Sequence, residues 1–248
     1  MNDLTPQRLD PARLAAIAKE LRRRASRMEL SRLYPDETQE IDGKTYHARR
    51  LYPKHLAFFQ AGARYRERCA MAANRVGKSM GMGGYETALH LTGDYPAWWP
   101  GRRFSRPVRW WAAGKTNETT RDIVQSILLG EIEGSGATKR VSGTGLVPGN
   151  RLGDRTWKQG VADLIDTIKV RHASGGWSVL GLKSYQQGRG SFEGTTQHGI
   201  WLDEEPPLDV YGECLIRTAT TQGIIMLTFT PLEGLSETVL QFMPRGVE

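Results

Sequence analysis

Residues 68–85, RCAMAANRVGKSMGMGGY, constrain this chain more than any other stretch. Residues 68–72 are short, mostly apolar and bounded by turn-formers, as a buried strand is. Residues 73–76 read as a loop, and Gly77, Lys78 and Ser79 open a helix running through Met80, Met82 and Tyr85. A loop wrapped into a helix start is an anion site, because the first backbone N–H groups of a helix have no partner of their own and lie at the positive end of its dipole. The candidate phosphate-binding residues are therefore Ala73, Asn74, Arg75, Val76, Gly77, Lys78 and Ser79. In such a site Lys78 bridges the β- and γ-phosphates of a nucleotide and the Ser79 hydroxyl sits on Mg²⁺.

The spacing departs from G-x-x-x-x-G-K-[ST] once, where Ala72 takes the place of the first Gly; Ala fits there if the position does not need a positive φ. A second Gly-Lys-Thr occurs at residues 114–116. The strand-like residues 107–113 run straight into it and leave nothing to form a loop, so it reads as a strand-to-helix turn capped by Thr116 or Asn117.

At 248 residues the chain can bury one good core with an appendage. No apolar run reaches membrane-spanning length and the N-terminus has no secretory pattern, so a cytosolic protein with no membrane partner is expected. Cys69 and Cys214 sit far apart in apolar-patterned segments, which predicts two buried thiols. The net charge is +7, and residues 1–70 alone hold 15 Lys and Arg against 9 Asp and Glu. The basic character thus belongs to the N-terminal region, where it suits either a polyanion such as nucleic acid or a solvated helix face.

Asp10-Pro11 starts a helix. Leu14, Ile17 and Leu21, then less regularly Met28 and Leu30, give it an apolar stripe, and Arg22, Arg23, Arg24 and Arg27 crowd its later turns. Tyr34-Pro35 ends it, and residues 41–46 form a hairpin around Asp42-Gly43. These residues, 1–48, are expected to be a basic arm, with residues 49–248 as the core. Residues 51–60 predict a helix whose Phe58 and Phe59 pack in the core. Trp110 and Trp111 are expected to cover opposite faces of a sheet, residues 117–129 form an amphipathic helix, and residues 131–160 are mostly loop. Residues 164–171 and 176–183 read as paired antiparallel strands, while strands separated by helices elsewhere point to a largely parallel sheet.

Residues 199–205, Gly-Ile-Trp-Leu-Asp-Glu-Glu, form an apolar strand ending in three carboxylates. Strand C-termini of a parallel sheet share one edge, so Asp203 is expected near Ser79 as a Mg²⁺ ligand, with Glu204 placed to activate water. Residues 224–234 form a further buried strand whose Thr228, Thr230 and Pro231 either sense the γ-phosphate and pass the signal on or simply close a strand end.

Three features in this order, AANRVGKS, IWLDEE and LTFTPLEG, resemble the ATPase half of tailed-bacteriophage terminase large subunits; YPAWWPGRRF, AGKTNETTRD and GRGSFEGTTQHGIWLDEEPP are similar to that family as well. The resemblance implies an α/β P-loop NTPase of the additional-strand, catalytic-glutamate type, with a mainly parallel central sheet flanked by helices and a small N-terminal helical arm. It implies ATP and Mg²⁺ bound through Lys78 and Ser79, Asp203 on the metal, Glu204 as catalytic residue, and Thr228 to Pro231 coupling hydrolysis to movement. Arg75 would contact the γ-phosphate. A neighbouring subunit in a homo-oligomeric ring would supply an arginine finger, with Arg189 the candidate and Arg102 and Arg103 the fallback. The implied partners are double-stranded DNA, a portal protein and a small terminase subunit, at a procapsid portal in the host cytoplasm. The nuclease domain of the family has no place before Glu248, so no DNA cleavage is expected. A helicase-like translocase and a non-catalytic assembly module are the alternatives. The first lacks a second motor domain here, and the second sits poorly with intact Lys78, Asp203 and Glu204.

Overall fold

The computed structural model describes residues 10–232 and 234–243, without the side chains at 18–28 and 137; Leu21, Met28 and the arginines 22–24 and 27 thus lie outside the described residues. Seven strands form the central sheet: β1 (Glu67–Met71), β2 (Arg109–Gly114), β3 (Leu152–Trp157), β4 (Ile165–Arg171), β5 (Trp177–Ser184), β6 (Gly199–Asp203) and β7 (Ile224–Phe229). Side by side they run β1-β7-β6-β2-β5-β4-β3. The first four pairings are parallel and the last two antiparallel.

The fold is α/β, a mainly parallel central sheet flanked by helices, with β7 inserted between the loop-bearing β1 and the acid-tipped β6. Every position of β6 and β7 is buried. A parallel strand covered by helices on both faces needs an unbroken apolar run, and these two have one. Trp110 and Trp111 pack into two separate cores on opposite faces of the sheet.

Helix α1 (Pro11–Arg32) starts where expected, the Asp10 carboxylate accepting from the Ala12 N–H with Pro at the first turn. Leu14 and Ile17 are exposed, whereas Leu30 and Tyr34 are buried, so among the described side chains the arm meets the body at the last turn of the helix and just past it. The hairpin Gln39–Ile41 with Lys44–Tyr46 turns at Asp42 and Gly43, both with positive φ as this two-residue turn requires. Helix α2 (Pro53–Ala61) buries Phe58 and Phe59 in the core. Helix α3 leaves the loop as a π-helical segment, Lys78–Gly84, and continues as an α-helix, Tyr85–Thr92. Helix α4 (residues 117–129) is capped by Thr116, α5 is Leu208–Ala219 and α6 is Glu237–Phe242.

Residues 131–160 are mostly loops and short turns, as expected, but not wholly so. They contain β3, and Ile132–Glu133 pairs with Arg140–Val141. Two register shifts break the pairing of β3 with β4, and each bulge disturbs the two-residue alternation that would mark a strand in the sequence. Of the two thiols Cys214 is buried and Cys69 only half-buried, and Ile123 lies on the exposed side of α4. Among the described residues no helix is long and apolar enough to cross a membrane.

One buried ion pair ties β1 to α3. Arg68 reaches both Glu86 oxygens, at 3.0 and 2.7 Å, and also donates to the Phe58 carbonyl at 2.7 Å. His90, one turn on, touches the same carboxylate at 3.1 Å. Burial raises the Glu86 carboxyl, but the Arg68 charge and the hydrogen bonds from His90 and Arg68 outweigh it and hold the group below its ordinary value.

Candidate nucleotide site

Strand β1 delivers the chain to the C-terminal edge of the sheet, where the Ala72 N–H still pairs with the Phe229 carbonyl at 3.2 Å. The exposed loop 73–77 then turns back through two positive φ values, 64° at Arg75 and 82° at Gly77. Ala72 has no such φ, which is why it can stand in for glycine. Gly77 is the residue before the helix, and its carbonyl accepts from both Gly81 N–H (2.8 Å) and Met82 N–H (3.2 Å), the widened turn with which α3 begins.

Lys78 is buried, and its ammonium donates to the Ala73 carbonyl at 2.7 Å and to Thr230 Oγ1 at 2.8 Å. The Thr230 hydroxyl proton faces two acceptors, Ala72 O at 2.9 Å and Asn74 Oδ1 at 2.8 Å. The end of β7 is thus bonded to both arms of the loop. Pro231 follows, exposed.

Beside it β6 ends at Asp203, which is 2 % exposed. The Ser79 hydroxyl lies close enough to this carboxylate to favour its charged form, and Thr228 Oγ1 donates to its Oδ1 at 2.7 Å. The Thr228 oxygen in turn accepts from Trp201 Nε1–H at 2.7 Å, so both polar capacities of a buried threonine are used and the indole donor is satisfied. Burial pushes the Asp203 carboxyl up to about 6; the Thr228 bond and the nearby Ser79 hydroxyl oppose the rise, the neighbouring Glu204 adds to it, and Lys78 opposes it. A buried carboxylate beside a serine hydroxyl gains from a cation. One buried carboxylate and one serine hydroxyl are an oxygen-only donor set, which fits a hard ion that keeps waters and takes phosphate oxygens, as Mg²⁺ does.

Glu204 leaves the strand in the left-handed region (φ 66°), its N–H bonded to the Thr228 carbonyl at 3.1 Å. That turn separates it from Asp203 and sets it on the wall of a cavity of about 700 Å³, which Thr230, Glu205, Lys115, Thr116 and Gln186 also line. Glu205 instead accepts from the Ser236 hydroxyl at the start of α6. The three carboxylates therefore have three different surroundings.

A phosphate loop, a hydroxyl-bearing strand and an acid strand now stand on one sheet edge, and residues 69–245 match the family described as "Terminase large subunit, T4likevirus-type, N-terminal". The chain belongs to the terminase large-subunit family. It is 41% identical over 211 residues to the "Terminase, large subunit" of Salmonella phage P22, covering 77% of this chain and 41% of that protein, so it spans about two fifths of the relative's length. The structure of the large terminase from a thermophilic bacteriophage in complex with ADP aligns over 79% of this chain and 50% of that one, at 14% identity and a TM-score of 0.44, too loose a likeness to carry an argument.

The other predicted residues of this terminase chain are placed less centrally. Arg75 is exposed at the loop tip. Arg189 is not brought to the loop: its ion pairs are to Glu213 at 3.0 Å and Glu193 at 3.9 Å within its own chain. Arg102 donates to the carbonyl of Gln222, just before β7, and Arg103 to those of Pro96 and Trp99; Arg102 thus sits at the opposite end of β7 from Thr228 and Thr230. Three groups at the site escaped the sequence reading. The Tyr185 hydroxyl lies within 2.9 Å of the Asp203 carbonyl and 3.1 Å of the Glu204 carbonyl; its place just after β5, on the same sheet edge, was the available signal. Tyr34 and His55 reach the loop helix from outside the motif, and no local pattern marks them.

Proposed function

We propose that this chain is the ATP-hydrolysing motor domain of a terminase large subunit, driving double-stranded DNA into a procapsid, with residues 1–48 as a basic arm and 49–248 as the ATPase core. One observation carries the reading most: Lys78 and Thr230 are bonded to each other and to the loop, while Asp203 at the tip of β6 accepts from Thr228 of β7 with Ser79 close by, so loop, helix start and two strand tips meet at one edge. On this reading residues 73–77 and the first N–H groups of α3 cradle the β-phosphate, and Lys78 neutralises charge between the β- and γ-phosphates. Ser79 and Asp203 would hold Mg²⁺, which would supply a cation to spread the negative charge of the phosphates. Glu204 orients a water in the adjoining cavity and takes its proton as the water oxygen bonds to the γ-phosphorus. The β–γ bridging oxygen leaves with its electron pair on ADP.

Thr230 touches Lys78, the Ala72 carbonyl and the Asn74 side chain, while Thr228 touches Asp203. Loss of the γ-phosphate would be felt along β7 and passed on at Pro231. Arg75 is the cis candidate for the γ-phosphate. Arg189 serves as the trans finger only if a neighbouring subunit draws it from Glu213 in a ring. DNA is held by phosphate contacts rather than base readout, and the portal protein and small terminase subunit are the packaging partners.

The test is ATPase rate against protein concentration, with and without double-stranded DNA. Glu204→Gln is expected to lower turnover at least about 100-fold, the usual share of a general base, while nucleotide still binds. Surviving turnover would refute the assignment of Glu204. A per-subunit rate that climbs with concentration and collapses in Arg189→Ala supports the trans finger, whereas a flat rate indifferent to Arg189 leaves Arg75 in that role.

A further inference from the structure

The phosphate loop is held from a side that the motif does not include. His55, on α2, places Nε2 2.9 Å from the Val76 carbonyl inside the loop. Its Nδ1 lies 2.6 Å from the hydroxyl of Tyr34, the arm residue just past α1, and that hydroxyl is 2.7 Å from the Gly81 carbonyl in the widened turn of α3. An α-helix would give the Gly81 carbonyl to the Tyr85 N–H, but here Tyr85 N–H turns to Met80 and Met82, and Tyr34 takes up the carbonyl. The approach is close enough to exclude side chains. A Cβ on Gly81 would stand 2.8 Å from the Tyr34 hydroxyl and 3.0 Å from the His55 ring, and one on Gly77 would stand 3.0 Å from the same ring.

Tyr34 is itself committed to this contact. It sits at φ 60°, a region unfavourable for a bulky residue, is 5 % exposed, and meets the rings of Tyr52, His55, Phe59, Tyr85 and Trp98 edge-on. Proton counting limits what the pair can do. Tyr34 has one hydroxyl proton and a neutral imidazole has one N–H. If the ring donates to Val76 O, the tyrosine proton completes the chain at Nδ1 and Gly81 O is released. If the tyrosine donates to Gly81 O, the ring proton sits on Nδ1 and Val76 O is released. Burial favours the neutral ring, lowering the His55 pKa against the pull of the Val76 carbonyl.

We propose that Tyr34 and His55 form a positioning clasp that sets the conformation of the phosphate loop, gripping it at Val76 or at Gly81 and so linking the N-terminal arm to nucleotide binding. The proposal rests on the nucleotide reading of the loop given above, and it makes both residues positioning rather than catalytic. A group that docks on the arm and pulls Tyr34 away would leave loop and helix without this support, which gives the arm a route to the site although it contributes nothing to the reacting atoms.

The experiment compares wild type, Tyr34→Phe, His55→Ala, His55→Gln and Lys78→Ala by three measurements: thermal unfolding, equilibrium binding of a fluorescent ATP analogue, and backbone hydrogen exchange of the segment 72–84 without nucleotide. Tyr34→Phe keeps the ring packing and removes only the hydroxyl. It is expected to weaken nucleotide affinity and to speed exchange in that segment, each about three- to tenfold, the size of one lost hydrogen bond. His55→Ala should do the same, and His55→Gln, which can still donate to Val76 O, should recover most of the affinity. A melting temperature that drops while affinity and exchange in the segment stay at wild-type values would overturn the clasp, as would no change in any of the three. Lys78→Ala separates the two readings: if it leaves affinity intact, the nucleotide assignment fails, whereas the exchange measurement still tests the clasp.

Discussion

The two halves of α3 are built on opposite plans. The first, Lys78–Gly84, is widened, carries three glycines and has Lys78 and Gly81 bonded to groups outside the helix. The second, Tyr85–Thr92, is regular, and each of its eight residues is buried. The glycines of the first half let other groups come close: a Cβ on Gly83 would stand 2.1 Å from Trp201 Nε1, the donor that orients Thr228 toward Asp203. The second half is fastened to β1 by Arg68, Glu86 and His90. One helix thus has an anchored end that supplies stability and a yielding end that supplies the site. A binding loop needs both, because local adjustment is useful only if the element does not move as a whole.

The sharpest way to break this comparison is at the anchored end. Glu86→Ala leaves the Arg68 charge buried without its partner and is expected to cost about 3 to 5 kcal/mol of stability by denaturant unfolding. At a temperature where the variant is still folded its nucleotide affinity should stay near wild type, and a comparable loss of affinity there would erase the distinction between the two halves. Next in size comes the yielding end. Gly83→Ala forces the helix off Trp201, an overpacking cost of about 1 to 3 kcal/mol, and loosens the Thr228–Asp203 bond. ATPase rate should therefore fall by more than the stability loss explains, and normal turnover at reduced stability would show that Trp201 plays no part in placing Asp203.

The smallest effect concerns pH. Burial keeps the His90 pKa below its usual value, with the Glu86 bond and charge opposing and the Arg68 and Arg102 charges adding. Below about pH 6.5 the unfolded chain therefore binds more protons than the folded one, so the His90 contribution is full above that pH and is lost as pH falls toward the folded value, by at most about 1.4 kcal/mol per pH unit. Melting curves at pH 7 and pH 5.5 should differ less for His90→Phe than for wild type. His55, His172 and His198 are lowered as well, so part of the slope will remain. An unchanged slope would mean that His90 is already charged beside Glu86 in the folded protein.

Much of this was legible in the sequence where local pattern and burial coincide. β6 and β7 are apolar at nearly every position because both faces are covered, and the strand-loop-helix corner declares itself by the spacing from Ala72 to Ser79. β3 was not legible, since its bulges spoil the alternation, and neither was the widened turn of α3, since Gly-rich helix starts carry no period of their own. Asp203 beside Ser79 followed from the rule that parallel strand ends share an edge, but the different surroundings of Glu204 and Glu205 depend on one backbone angle at Glu204. The Tyr34–His55 contact could not be read at all, because it joins residues 21 apart to a loop a further 21 along through side chains with no motif.

The strand order also governs when the molecule becomes competent. The meander β3–β4–β5 pairs near neighbours, down to Arg171 with Trp177, and such short-range closures cost little chain entropy and form early. The loop-bearing β1 is made among the first core elements, yet its partner in the sheet is β7, and their register sets residue 67 against residue 225. During synthesis the loop emerges long before the strand that must lie beside it, and Lys78 has no Thr230 to meet until that strand has left the ribosome. This edge of the sheet therefore closes over a far longer stretch of chain, at a larger entropic cost, than the antiparallel half does.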